Sequence, residues 1–192
     1  MGSLLLRLPG NLPAPVKRQA LVQLFRSTAT AFQCNMVRLA GLSRDQCLRE
    51  YARFTADQAG QALRSGSDLS DLRERLYWNA YRLGRTPGRL LGIRSVDDVM
   101  ALGRLLYSIL DIEFNGSGSG EITISRCYFS CFYSPEACRM MSAMDRGLLA
   151  GLAGGGEVVF TERITEGWPC CRACFTPAGS PFFAQPWQEQ TP

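Results

Sequence analysis

Apolar side chains recur at steps of three and four through residue 110, and the pattern changes beyond it. The first part therefore reads as amphipathic helices, and the second as short alternating strands around one more helix. After the Pro-rich entry from Leu8 to Pro15, residues 14–33 form a first helix with Leu21, Leu24, Phe25, Ala29 and Phe32 on its apolar side. Ser43 opens a second, and Gln46 three residues on completes a capping-box pattern. Its stripe runs through Cys47, Tyr51, Phe54 and Ala62, with Gln58 the one polar exception. A third helix carries Leu69, Leu72, Leu76, Ala80 and Leu83, and Gly84 with Pro87 is expected to end it. Ser95 with Asp98 caps a fourth, striped by Val99, Gly103, Leu106 and Leu110.

Beyond Leu110, residues 112–114 read as a short strand and Asn115 to Gly120 as a flexible turn. Glu121 to Phe129 alternates as a strand, with Ile122, Ile124 and Tyr128 on one face. Ser134-Pro135-Glu136 combines a cap, a proline at the first helical position and an acid in the first turn. That helix presents Ala137, Met141, Met144, Leu148 and Leu152 on one stripe and stops at Gly154-Gly155-Gly156. Val158 to Thr165 and Cys171 to Phe175 are the last two strands, joined through Gly167-Trp168-Pro169. The expected fold class is α+β: an N-terminal helical bundle followed by an antiparallel β-β-α-β-β sheet backed by helices. Residues 1–111 are the helical segment, 112–176 the cysteine-bearing segment packed on it as one domain, and 177–192 a loosely ordered tail. The alternative is two separate domains divided near residue 112.

Composition narrows the chemistry more than the class. The chain has 192 residues and a net charge of +4. Lys17 is the only lysine among 21 basic residues, and arginine lies on every segment, mixed with acids, instead of in one patch. That argues against nucleic acid. No segment approaches the ~20 apolar residues of a membrane span, and Leu4-Leu5-Leu6 is too short for a signal-peptide core. A cytoplasmic location with no membrane partner is the expectation, and a homo-oligomer stays open. The eight cysteines are then expected to be reduced thiols, with Cys34 and Cys47 as small core hydrophobes.

The absence of histidine removes Ser-His-Asp and Cys-His hydrolysis and every His-ligated metal. Acid–base work falls to Asp, Glu, Cys, Tyr, Lys17 or water. Alternation from Val158 places Glu162 on the apolar face with Phe160, where a carboxylate needs a partner such as Arg126, or else has a role. Cys127 and Cys131, four residues apart on a straight strand, would be roughly 13 Å apart. That is too far for one zinc with bonds of ~2.3 Å, and only a bulge or turn after Phe129 would bring the two together. A site with one thiol per strand fits better: Cys127, Glu162, and Cys171 or Cys174, holding zinc or iron. Asp145, one residue past Met144, either flanks the same cleft or pairs with Arg146 or Arg139 in solvent. Gly116 to Gly120 and Gly154 to Gly156 lack phosphate-loop features and read as turns.

Arg126-Cys127-Tyr128, Met141-Ser142-Ala143-Met144-Asp145 and Arg163-Ile164-Thr165-Glu166-Gly167-Trp168-Pro169-Cys170-Cys171 together resemble the C-terminal half of the bacterial L-2-amino-thiazoline-4-carboxylic acid hydrolase-like family. They are more distantly similar to four-vinyl-reductase-type ligand-binding domains. The resemblance covers residues 121–175, with Cys127, Asp145, Thr165, Gly167 and Cys171 at matching positions. Ser142 stands where the family more often has Cys, Trp168 where it has an acidic or small residue, and Arg172 where it has an acidic one. The resemblance implies ring-opening hydrolysis of a cyclic amidine. Cys127 would attack as thiolate, or hold a metal with Cys171, while Asp145 or Glu162 moves the proton. The alternative is a non-catalytic module that binds a small molecule or a metal.

Overall fold

A computed structural model describes residues 12–66 and 68–179. Five helices are followed, and partly interleaved, by four strands: α1 (Ala14–Ala31), α2 (Arg44–Arg64), α3 (Ser70–Leu90), α4 (Val96–Tyr107), β1 (Glu113–Gly116), β2 (Glu121–Arg126), α5 (Pro135–Ala153), β3 (Gly156–Glu162) and β4 (Cys171–Pro177). Every neighbouring pair in the sheet is antiparallel and the order is β1-β2-β4-β3. This is the expected α+β class. Residues 1–11 and 180–192, including most of the expected tail, lie outside the described residues.

Local chemistry accounts for the helix starts. Ser43 accepts the Gln46 N–H at 3.2 Å, and the Gln46 side chain accepts the Ser43 N–H at 2.8 Å. Ser95 and Ser134 accept the N–H groups of Asp98 and Ala137. Each cap satisfies an amide that the first turn leaves unpaired. The third helix departs from expectation: α3 runs through Gly84 and Pro87 to Leu90. Its glycines are the reason. A Cβ at Gly84 would strike the Leu148 carbonyl of α5, and one at Gly147 or Gly151 would strike the Tyr77 or Tyr81 carbonyl of α3. The two helices therefore meet backbone to backbone, and that packing outweighs the local cost of an interior proline.

Parity organises the sheet. Phe114, Ile122, Ile124, Val158, Cys171, Ala173 and Phe175 are buried on its inner face, against α4 and α5. Glu121, Arg172 and Cys174 are exposed on the other. One core joins the halves of the chain: Leu21, Phe25, Leu48 and Tyr51 belong to the same buried cluster as Ile122, Ile124 and Phe175. Arg44 also ties the start of α2 to Asp111, at 2.7 Å, in the turn before β1.

Two strands end earlier than the alternation suggests. β2 stops at Arg126 and a 3-10 turn spans Tyr128–Cys131; β3 stops at Glu162 and another spans Ile164–Glu166. These two turns are where the chain leaves the sheet and folds back over the end of α5.

Candidate functional site

The turns cap a cavity of about 120 Å³ between the inner face of the sheet, α5 and the helical layer. It is on the scale of the ~150 Å³ apolar cavity that admits benzene in another protein. Its wall is overwhelmingly hydrophobic, from Leu83 on α3 and Leu106 on α4 to Met141, Met144 and Leu148 on α5 and Phe160 on β3. Into this setting the fold brings a few polar groups: Asp145, Arg163, the hydroxyls of Tyr107 and Thr165, and the thiols of Cys127, Cys138 and Cys171.

Asp145 is central. It follows Met144 on α5 and so faces between the stripe and the sheet. Tyr107, at the end of α4 and 3% exposed, donates its hydroxyl to Asp145 Oδ1 at 2.6 Å. The other oxygen, Oδ2, accepts no hydrogen bond among the described residues. The carboxyl lies deep in the protein, yet the residue keeps accessible surface. Since the residue lines the cavity, that surface is cavity surface. Burial lifts its pKa from 3.8 to about 6, against the opposing pull of the Tyr107 hydrogen bond and the Arg163 charge.

Arg163 supplies the opposite charge. Its side chain is 15% exposed, its guanidinium lies 4.9 Å from the centre of the Phe160 ring, and its nearest carboxylate is Glu166 at 3.9 Å. Its Nε is buried and has no hydrogen-bond partner among the described residues. Glu166 is engaged more closely by Arg139 of α5, at 2.9 Å, which latches the second turn to the helix. Asp145 and Arg163 thus influence each other across the cavity without forming an ion pair.

The thiols are held in the uncharged form. Burial pushes Cys127 up to about 12, helped by the nearby Asp145 charge. Burial likewise raises Cys138 and Cys171. Cys171 accepts the Ile164 N–H at 3.4 Å and so pins the second turn onto β4. A thiolate at Cys127, the nucleophile implied by the family resemblance, is therefore opposed at neutral pH.

Of the expected site residues, Cys127, Asp145 and Cys171 meet at this cavity, and Thr165 joins them. Glu162 does not. The register slips between Phe160 and Glu162, so Thr161 is an extra residue and Glu162 opposes Arg172. It pairs with Arg172 at 3.1 Å instead of facing the apolar side with Phe160, and the suggested partner Arg126 pairs with Glu113. Cys174 is exposed because β4 alternates Cys171 in and Cys174 out. The zinc or iron set of Cys127, Glu162, Cys171 and Cys174 is thus divided between the two faces of the sheet. Among the described residues, no three acidic or cysteine side chains converge as metal ligands. The residues present do not fit that metal.

Sequence reasoning missed Tyr107, Arg163, Cys138 and Ser142 as cavity residues. Tyr107 and Arg163 carry no local signal, because their role depends on which helix end and which turn reach Asp145. Cys138 is legible in hindsight, one turn before Met141 and two before Asp145 on α5. No family model, curated protein or solved structure matches this chain.

Proposed function

We propose that the chain binds a small, mostly apolar molecule in this cavity, through one polar end that carries both a hydrogen-bond donor and an acceptor. A single arrangement carries this reading: Asp145, with one carboxylate oxygen bonded by Tyr107 and the other free, and Arg163, whose nearest carboxylate is Glu166 at 3.9 Å, line one apolar chamber without forming an ion pair. A buried polar group without a partner costs on the order of 1–3 kcal/mol. A ligand offering an N–H or O–H to Asp145 and an oxygen or ring nitrogen to the Arg163 guanidinium would give both groups a partner, while its body displaces water from hydrophobic walls. The opposite charges favour a neutral or zwitterionic molecule over a simple ion. Titration calorimetry with small nitrogen heterocycles bearing an amide or carboxyl group tests this. Saturable binding is expected, abolished when Met141→Trp fills the cavity. Binding that survives the filled cavity would place the ligand elsewhere and sink the reading.

A hydrolytic version has specific support: Cys127, Asp145, Thr165 and Cys171, four of the five matching positions of the thiazoline-hydrolase resemblance, meet at this one cavity. With the thiols protonated, the role of base falls to Asp145, whose pKa of about 6 suits it to take a proton from water near neutral pH. Water oxygen would add to the ring C=N carbon as one of its protons passes to Asp145 and the C=N electron pair moves to the ring nitrogen. Collapse of the adduct to C=O would break the ring C–S bond, with Asp145 returning its proton to the departing sulfur and the remaining hydroxyl proton passing to the ring nitrogen. Ring opening of 2-aminothiazoline-4-carboxylate, followed chromatographically, should be lost in Asp145→Asn and should rise with pH through about 6. No ring opening by the unaltered protein would leave the binding reading alone.

A further inference from the structure

Between Glu74 and Asp97 the chain carries Arg75, Arg82, Arg85, Arg89 and Arg94 and no carboxylate. Several other arginines sit beside acids, as in Arg44-Asp45 and Glu162-Arg163. Arg75 is engaged, donating from Nε to the Ala31 carbonyl at 2.9 Å. Arg85, Arg89 and Arg94 instead surround a surface concavity of about 430 Å³ where the C-terminal ends of α3 and α5 meet. Tyr81 forms part of its wall, and among the described residues no acidic one lines it.

Basic residues commonly gather at helix C-termini, where they bond the last carbonyls and complement the helix dipole. Other arginines of this chain show what such engagement looks like. Arg44 donates to the Ile109 carbonyl at 2.7 Å, and Arg18 to those of Leu39 and Leu42 at 3.1 and 3.0 Å. The guanidiniums of Arg85, Arg89 and Arg94 make no hydrogen bond or ion pair among the described residues. Carbonyls near the end of α5 are met by main chain, with the Gly154 N–H on Gly151 O at 3.3 Å and the Gly155 N–H on Ala150 O at 2.8 Å. Arg85 and Arg89 are moreover like charges four residues apart on one helix, which costs a few tenths of a kcal/mol. Three cations are thus assembled around one hollow, at some cost and with no ion pair among the described residues; the nearby Asp98 carboxylate accepts the Arg94 main-chain N–H, at 3.2 Å.

We propose that this concavity binds a phosphate group, borne either by a soluble phosphate ester or by a lipid head group. Guanidinium forks match the paired oxygens of phosphate, and several of them suit a dianion better than a single carboxylate. The Tyr81 ring gives the organic part of the ligand an apolar wall. This site is separate from the buried cavity and does not depend on the function proposed for it.

The test uses the full chain at low ionic strength, because exposed charges are screened by salt. Inorganic pyrophosphate, followed by calorimetry, probes the soluble source. Co-sedimentation with phosphatidylcholine vesicles, with and without phosphatidic acid, probes the head group. Saturable one-to-one pyrophosphate binding, or sedimentation that requires phosphatidic acid, is expected, and which arm responds assigns the source. The double variant Arg85→Gln/Arg89→Gln should weaken it by roughly tenfold or more, with an unchanged melting temperature because both positions are exposed. Arg126→Gln, on the sheet and paired with Glu113 at 2.9 Å, should leave it unchanged. Failure of both probes to bind, or equal weakening by Arg126→Gln, overturns the proposal.

Discussion

Asp145 occupies a position that a carboxylate would not choose for stability. It is deep, surrounded by methionine and leucine side chains, and held by one hydrogen bond from Tyr107. Its folded pKa of about 6 lies above the ordinary 3.8, so the folded state prefers the protonated form. The sign follows: between about pH 4 and 6 the unfolded chain has released the proton and the folded one keeps it, so stability falls as pH rises through that window. The loss is on the order of 2–3 kcal/mol, complete by pH 7. Asp145→Asn keeps an acceptor for Tyr107 and removes the charge. It should therefore be the more stable protein at pH 7 and should show a flatter stability profile between pH 4 and 6, measured by denaturant unfolding. An unchanged profile would mean that Asp145 is well solvated. The cysteines lend themselves to a second measurement at this scale. Iodoacetamide at pH 8, read by mass spectrometry, should modify exposed Cys131 and Cys174 well before Cys127 and Cys171, whose thiols burial keeps protonated.

Among the elements, α5 does most to build the cavity. Its stripe carries Met141, Met144 and Leu148, and its other side meets α3 through Gly147 and Gly151. Gly147→Ala would drive a methyl group into the Tyr77 carbonyl. Thermal melts should show a loss of about 1–3 kcal/mol, and Asp145 would shift with the helix, so ligand affinity should fall as well. Ser134→Ala removes the cap on the Ala137 N–H and should cost about 1 kcal/mol. Helix starts of this kind were legible because a serine cap and its amide lie three residues apart. The end of α3 was not, since Gly84 and Pro87 are stop signals locally and become packing residues only against α5. Glu162 shows the same limit in a strand. Strict alternation places it with Phe160, and the one-residue slip at Thr161 moves it to Arg172.

For the whole molecule, the shared core has a direct consequence. Leu21 and Phe25 near the start of the chain pack in the same cluster as Ile122 and Phe175 near its end. Helical and sheet segments should therefore unfold together, with circular dichroism and tryptophan fluorescence tracing one transition; Trp78 and Trp168 report on both parts. Separate transitions would restore the two-domain alternative. The α+β order of elements and most helix starts followed from the sequence alone, because they depend on neighbours within about four residues. So did the absence of histidine chemistry. Which of the candidate residues share a cavity was settled only in three dimensions. Tyr107 reaches Asp145 across 38 positions of chain, and Arg163 reaches the same chamber because β3 ends at Glu162, three residues before the expected end. Cys174 and Glu162 fall on the far face of the sheet. Such meetings depend on register, bulges and helix contacts, and long-range packing alone decides those.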